Sequence, residues 1–515
     1  MLAAALCAAS LVAFRAAPHQ APPPPELEPI TTISADDPSA PSARRFGDRV
    51  AADGSLVAVA APTDGDDAWS PGAVVLRRLA WTARGALEIT REAEFSSSSR
   101  GPGERFGSAL SLSASHGPSR GDLVAVGVDR ADAISPANES VPMAGAVDLF
   151  ERPIRAERGW RHAARLAAGE PQPGAEFGGT LAFDAGGAAR LAVGAPRHDA
   201  RKDERSPWVW DAGRVSILSR VASSIPNDAA SRWVEVAVID APTPELSGWF
   251  GAAVALDGNL LAIGAPGHDV ADPASGVAIS SAGMVFLYRR IDPAGESDAA
   301  QPPSERYQLE RVLAAPFPEH SAWFGLALAL EGETLAVGVP RARDRHGRGL
   351  GHGLGEPLGC VYIVDLARPD AAPKRIDPPS SLVRTGFGQT LAVRSGLLLV
   401  GAPTTDAIAE VQQDPLLRDV GGAWVYELDE GRFTATLVPP RSLASALFGA
   451  TAAIAEPTGP ARPAASTRTW PAPDALPRHR GHLVAVVGHH YSEEESREPS
   501  PGAAIYAVPR VRAPP

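Results

Sequence analysis

Two histidine–aspartate pairs stand at matching places in this chain. His198-Asp199 and His268-Asp269 each put the aspartate three residues after a Gly-Ala-Pro proline, and Asp406 has the same offset. His489-His490 takes the corresponding place in the last unit. Imidazoles and carboxylates that converge can bind a metal or act as general acid and base. The plainer alternative is an aspartate capping a turn through neighbouring backbone, with the histidine a solvated neighbour. The plainer reading weighs more, because these residues come from distant stretches without tight ligand spacing. Trp208, Trp210 and Trp69 lie in polar loops. Such aromatics can stack on a sugar or anchor a protein partner, or simply pack their loop downwards.

What must position these residues is a repeat. Phe-Gly occurs at 46, 106, 177, 250, 324, 387 and 448, at spacings of 60, 71, 73, 74, 63 and 61 residues. Recurrence of this kind marks a repeat architecture. The fourth unit reads FGAAVALDGNLLAIGAP: an apolar segment, a tight turn, then a second apolar run ending in Gly-Ala-Pro. The pairs Asp53-Gly54, Asp257-Gly258, Glu331-Gly332 and Ser395-Gly396 supply the positive φ of a hairpin turn. The second run has little polar alternation, which predicts a strand covered on both faces. Many alanines in the first run suit a crowded place near an axis.

A third run starts at Gly72, Gly145, Gly213, Gly283, Gly359, Gly422 and Gly502, and a more polar fourth run follows. Four strands per unit and seven units predict an all-β, seven-bladed β-propeller of four-stranded blades. The last unit stops after its third strand, at Val508. The segment from Leu27 to Asp37 has fourth-strand character and is expected to complete the last blade, closing the ring and removing an exposed edge. The expected division is a signal-like segment and linker at 1–26, the propeller at 27–510 and a tail at 511–515. The second unit departs from the pattern, with Gly127-Val128-Asp129 where others have Gly-Ala-Pro. The last carries a Pro/Ala/Arg-rich insertion from Glu456 to Arg480.

Phe-Gly followed by Gly-Ala-Pro resembles the FG-GAP repeat, the blade unit of integrin α-subunit propellers and of many bacterial secreted proteins. The resemblance is closest to the bacterial variant with a short first hairpin, and implies long variable loops after Gly-Ala-Pro on one face of the ring. Function is expected there, since loops on a rigid scaffold carry it. Many members hold calcium in an Asp-x-Asp-x-Asp-Gly loop between the two motifs. Here a tight turn with at most one acid stands in its place, and calcium needs six to eight oxygen ligands. No cofactor is therefore expected. The run Asp64-Gly65-Asp66-Asp67 has suitable residues but follows the wrong strand.

The net charge of −12 is spread along the chain without a basic stripe, which argues against nucleic acid as a partner. The stretch Leu2–Phe14, followed by a proline-rich linker, resembles a secretory apolar region and is too short to span a bilayer. Leu6 before Cys7 argues against a lipoprotein anchor. Export to periplasm, cell surface or medium is expected, as a monomer. The other cysteine, Cys360, heads a third strand and reads as a buried small hydrophobe. Trp249 and Trp323, just before Phe-Gly, read as structural. Ser445 lacks a nucleophile elbow, and the glycine-rich run Gly349–Gly359 leads into a strand, so neither is a catalytic signature.

The expected function is non-catalytic: binding a protein or glycan through His198, Asp199, Trp208, Trp210, His268, Asp269, Asp406 and His489, in adhesion or envelope association. One alternative is a hydrolase or lyase using the His/Asp positions near the axis. Another is an architectural role in a surface assembly.

Overall fold

A computed structural model of the protein describes residues 25–34, 46–62, 72–97, 103–114, 121–153, 159–184, 190–201, 205–221, 232–272, 274–291, 305–343, 357–379, 385–406, 419–440, 445–459, 483–489 and 502–508. Cys7, Asp64 to Asp67, Trp69, His490, the 511–515 tail, most of the N-terminal segment, most of the Gly349–Gly359 run and most of the last unit's insertion lie outside these.

Each Phe-Gly unit becomes one antiparallel sheet, and the sheets are the seven blades of a propeller. Blade 1 consists of Arg49–Asp53, Leu56–Ala61, Ala73–Trp81 and Leu87–Ser96; blade 2 of Phe106–Ser113, Asp122–Val128, Ala146–Arg152 and Arg161–Leu166. Blade 3 is Thr180–Phe183, Arg190–Ala195, Arg214–Val221 and Arg232–Asp240; blade 4 is Ala253–Asp257, Leu260–Ala265, Met284–Ile291 and Arg306–Ala314. Blade 5 is Ala327–Glu331, Thr334–Val339, Cys360–Asp365 and Lys374–Ile376. Blade 6 is Thr390–Arg394, Leu397–Ala402, Gly422–Glu427 and Phe433–Leu437. Blade 7 takes Ala452–Ala455, Leu483–His489 and Gly502–Val508 from the C-terminal end, and its fourth strand, Thr31–Ser34, from the N-terminal end.

The expected closure is therefore present, with Ile33 paired antiparallel to Ala503. It has a second part that the sequence did not suggest. Glu26–Leu27 lies parallel to Thr436 and Leu437 and covers the outer edge of blade 6. Nine residues thus fasten two blades, and each edge they cover is one fewer exposed row of backbone groups.

The core is divided among the seams between blades. In blade 1, Leu56, Ala58 and Ala60 face blade 2, while Val57, Val59 and Ala61 face blade 7. Burial on both faces is what the unbroken apolar second run predicts. The alanines of the first strands, such as Ala51, Ala182, Ala255 and Ala392, line an axial cavity of 260 Å³. Larger side chains there would meet one another as the strands converge.

Backbone meets backbone at each seam, which explains why the two motifs travel together. Gly251 of blade 4 has φ +89° and donates its N–H to the Gly264 carbonyl, 2.9 Å away, within its own blade. Across the seam, a Cβ on Gly194 of blade 3 would come within 2.2 Å of the Gly251 carbonyl oxygen. A Cβ on Gly213 would lie 2.0 Å from the Phe250 oxygen. Phe250 itself is 1% exposed. Only glycine permits that approach together with that φ. The register shifts at two positions: Gly422 and Gly502 are the first residues of their strands, level with Arg214 and not with Gly213. In blade 6 the glycine bridged to the next phenylalanine is Gly421, with φ +87°.

The opposite face carries the tight hairpins, and here too the register differs from expectation. Asp53, Asp257 and Glu331 end their strands, paired with Leu56, Leu260 and Thr334. The turn proper begins at Gly54, Gly258 and Gly332, each with positive φ, as in a type II′ turn. The acids are thereby free to reach the next blade. Asp53 Oδ2 accepts the Ala114 N–H at 2.7 Å, and Asp257 Oδ2 accepts that of Gly332 at 2.7 Å. Glu331 accepts the N–H groups of Ser395 and Gly396 at 2.6 and 2.8 Å. Arg394 closes the circle, 2.8 Å from Asp53 and 3.4 Å from Glu456.

Candidate functional site

Because each blade runs inward-to-outward as two hairpins, the loop between strands 2 and 3 shares a face with the connection to the next blade. Every described residue picked out for chemistry lies on that face, and the local geometry there is repeated.

Asp199, Asp269 and Asp406 have one job in common. Their Oδ1 atoms accept the N–H of Asp211, Ser281 and Asp419, at 2.9, 2.8 and 3.0 Å. Each donor residue has a positive φ of 49° to 53° and sits two residues before the glycine that opens the seam. The carboxylate pins the far end of its own long loop in a strained conformation. Asp132 does the same for Met143 in blade 2, at 3.0 Å. The sequence held the signal for it, since Asp132 is three residues after Asp129, which stands in the place of the motif proline.

A second anchor comes from the connection entering the blade. Gln172, Glu245 and Glu319, each five residues before a repeat phenylalanine and just after a proline, accept the N–H of Asp199, Asp269 and Arg343 at 2.9 Å each. The pattern Pro-Glu/Gln before Phe-Gly was visible in the sequence but looks like ordinary loop composition without the contact. Ser445, with φ 57°, occupies the left-handed position that Ser247 and Ser321 hold in their connections. Its role is conformational.

The histidines divide into three environments. His268 Nδ1 lies 2.8 Å from both the Asp269 carbonyl and Glu245 Oε2, and its Nε2 lies 3.0 Å from Thr243 Oγ1. Two acceptors at Nδ1 place the ring proton there, leaving Nε2 to accept the Thr243 hydroxyl. His198 is 4% exposed, and burial, helped by the Arg214 charge, pushes its pKa down to about 4. It is neutral at physiological pH. His489 is also 4% exposed and ends strand Leu483–His489, paired with Gly502. Gly488 packs on the Gly47 carbonyl as Gly194 packs on that of Gly251. His489 is therefore in register with Ala195 and Ala265, three residues short of His198 and His268.

The site residues fall in blades 3, 4, 6 and 7, and the bonds of Asp199, Asp269, His268 and Asp406 tie each to its own blade or the connection entering it. Among the described residues no group of three or more His, Cys, Asp or Glu side chains is placed to hold a metal ion. No helix among them is long and apolar enough to cross a membrane. Cys360 is buried. Replacing Asp269 by alanine is expected to cost loop 267–282 about 1 kcal/mol of local stability. Hydrogen exchange should rise at Ser281 and its neighbours, while the urea midpoint of the whole chain stays nearly unchanged.

The aromatics differ from the polar set in being exposed. Trp208 is 43% exposed, with the Arg201 guanidinium 4.7 Å from its ring centre, and Trp210 is 59% exposed. The Trp210 carbonyl accepts the Ser247 N–H at 2.9 Å, which brings Leu246, 65% exposed, beside it. Trp249 and Trp323 are half-buried and meet edge to face with centroids 6.4 Å apart, and Arg341 lies 3.5 Å over the Trp323 ring.

A family model of the FG-GAP repeat matches residues 233–279, from the last strand of blade 3 through the Phe250 hairpin into the fourth long loop. No curated protein matches the chain. That match over residues 233–279, and seven Phe-Gly hairpins each forming one blade of a closed ring, make the chain a seven-bladed β-propeller that carries an FG-GAP repeat.

Proposed function

We propose that this propeller is an exported, non-catalytic binding module whose long-loop face takes a protein or glycan ligand, in adhesion or envelope association. One observation carries the reading. Among the described residues, the tryptophan and phenylalanine side chains more than a third exposed are Trp208, Trp210 and Phe317, and all three lie on this face. The other described tryptophans and phenylalanines are buried or half-buried. An exposed indole pair on a loop held at both ends offers a large apolar surface at little entropic cost. The repeated aspartates and the Gln172, Glu245 and Glu319 anchors support the reading from below, because they hold the loops rather than face a substrate.

The test is retention of envelope proteins and glycans on the immobilised full chain, with calcium and with chelator. The Trp208→Ala/Trp210→Ala variant is expected to weaken retention by about 2 kcal/mol, roughly thirtyfold, as loss of an aromatic hot spot does. Equal retention by the variant would remove the indole pair from the ligand site. Retention that requires calcium would assign a cation to the face.

A further inference from the structure

We propose that Asp129 makes the second long loop proton-sensitive: protonation seats the loop against the blade 1–blade 2 connection, and ionisation loosens it. The residue takes the place that proline holds in blades 1, 3, 4, 5 and 6. It is a carboxyl in a seat built for an apolar ring, and it is 5% exposed. Its Oδ2 is 3.0 Å from Arg105 Nη1. Its Oδ1 is buried without a hydrogen-bond partner among the described residues, and so is Arg105 Nε. The pair is thus engaged at one point where the guanidinium fork could make two. A half-satisfied buried carboxylate costs more in desolvation than a single contact returns.

The charged groups facing Asp129 come from four elements. Arg105 precedes Phe106, Arg130 begins the loop, Arg49 projects from the first strand of blade 1, and Glu176 ends the connection into blade 3. The three arginines favour the ionised form and Glu176 opposes it. Burial outweighs them all and raises the Asp129 pKa to about 6. The sign follows from linkage. A carboxyl that titrates near 6 when seated and near 4 when solvated favours the seated loop at low pH, and loses that preference as pH rises through 6.

The consequences fall on residues 130–145. Arg130 N–H reaches the Glu104 carbonyl at 3.3 Å, a long bond, while Gly145 N–H reaches that of Ala131 at 2.9 Å. Asp132 holds Met143, so the loop moves as a unit about Arg130. It carries Ile134 and Met143, 62% and 52% exposed, on the same face as Trp208 and Trp210.

The experiment is hydrogen exchange of the full chain from pH 5 to 7.5, corrected for intrinsic rates and read on peptides covering 128–145. Wild type is expected to lose protection roughly tenfold across that range, with a midpoint near 6. Asp129→Asn, a neutral isostere, should give a flat profile. Glu176→Gln removes the like charge and should move the midpoint to lower pH, a shift that a merely structural Asp129 would not produce. A flat wild-type profile, or an unchanged one in Asp129→Asn, overturns the proposal.

Discussion

Gly213→Ala is expected to destabilise the propeller by at least about 4 kcal/mol, enough to abolish soluble folding. Two costs add. The residue has φ +89°, where an L side chain is strained, and its new Cβ would sit 2.0 Å from the Phe250 oxygen and 2.5 Å from the Phe250 nitrogen. Phe250 cannot retreat, because its N–H is held by the Ala212 carbonyl at 3.0 Å and its ring is 1% exposed in the blade 3–blade 4 core. Gly258→Ala is the control. It also has positive φ, at +59°, but its Cβ would meet nothing within 4 Å. That variant should lose only about 1 kcal/mol. Urea midpoints that coincide for the two variants would show that the seam is not a backbone contact.

Asp184→Ala should cost about 3 kcal/mol, because it strips a buried guanidinium of its hydrogen-bonded carboxylate and leaves it only Glu305, 3.7 Å away. Asp184 has no exposed side-chain surface, and Arg190 is 8% exposed. Arg190 donates to Asp184 Oδ2 from Nη2 at 2.7 Å and from Nε at 3.1 Å, and to the Gly258 carbonyl of blade 4 at 3.0 Å. Asp184 Oδ1 accepts the Gly258 N–H at 2.8 Å. This pair therefore fastens the first hairpin of blade 3 to that of blade 4. The double variant Asp184→Leu/Arg190→Met should recover part of the loss, since apolar residues of similar volume replace a buried pair without leaving a bare charge. Recovery stays incomplete because the Gly258 N–H loses its acceptor. A double variant no more stable than Asp184→Ala would mean that the hairpin contact, and not the charge, dominates.

Legibility followed the range of the physics. Residues that act on their own backbone were readable: Phe-Gly marked each blade, Gly54 and Gly258 marked turns, and the unbroken second runs marked strands buried on both faces. Placing His489 with His198 and His268 went astray because His-His after a glycine looks like loop, whereas strand pairing carries His489 one step past Gly488. Assigning Asp53 and Asp257 to their turns missed the single step of register that turns each carboxylate towards the next blade. The aspartates of the long loops do accept backbone N–H groups, but their partners lie 11 to 13 residues away, beyond what local turn chemistry reveals. His198 beside Asp199 is buried, where the plainer alternative made it a solvated neighbour.

By itself the sequence determined the number of blades, the order of strands within each and the N-terminal strand that closes the ring, because hairpins and period-two burial are properties of contiguous residues. Tertiary structure decided what lies across a seam: the glycine-on-carbonyl contacts, the ring of acids on the hairpin face, the parallel pairing of Glu26–Leu27 with blade 6, and the burial of Asp129 in a proline's seat. Those contacts join residues tens to hundreds of positions apart. Their energies depend on distances that no spacing in one chain specifies, and that closure of the ring alone imposes.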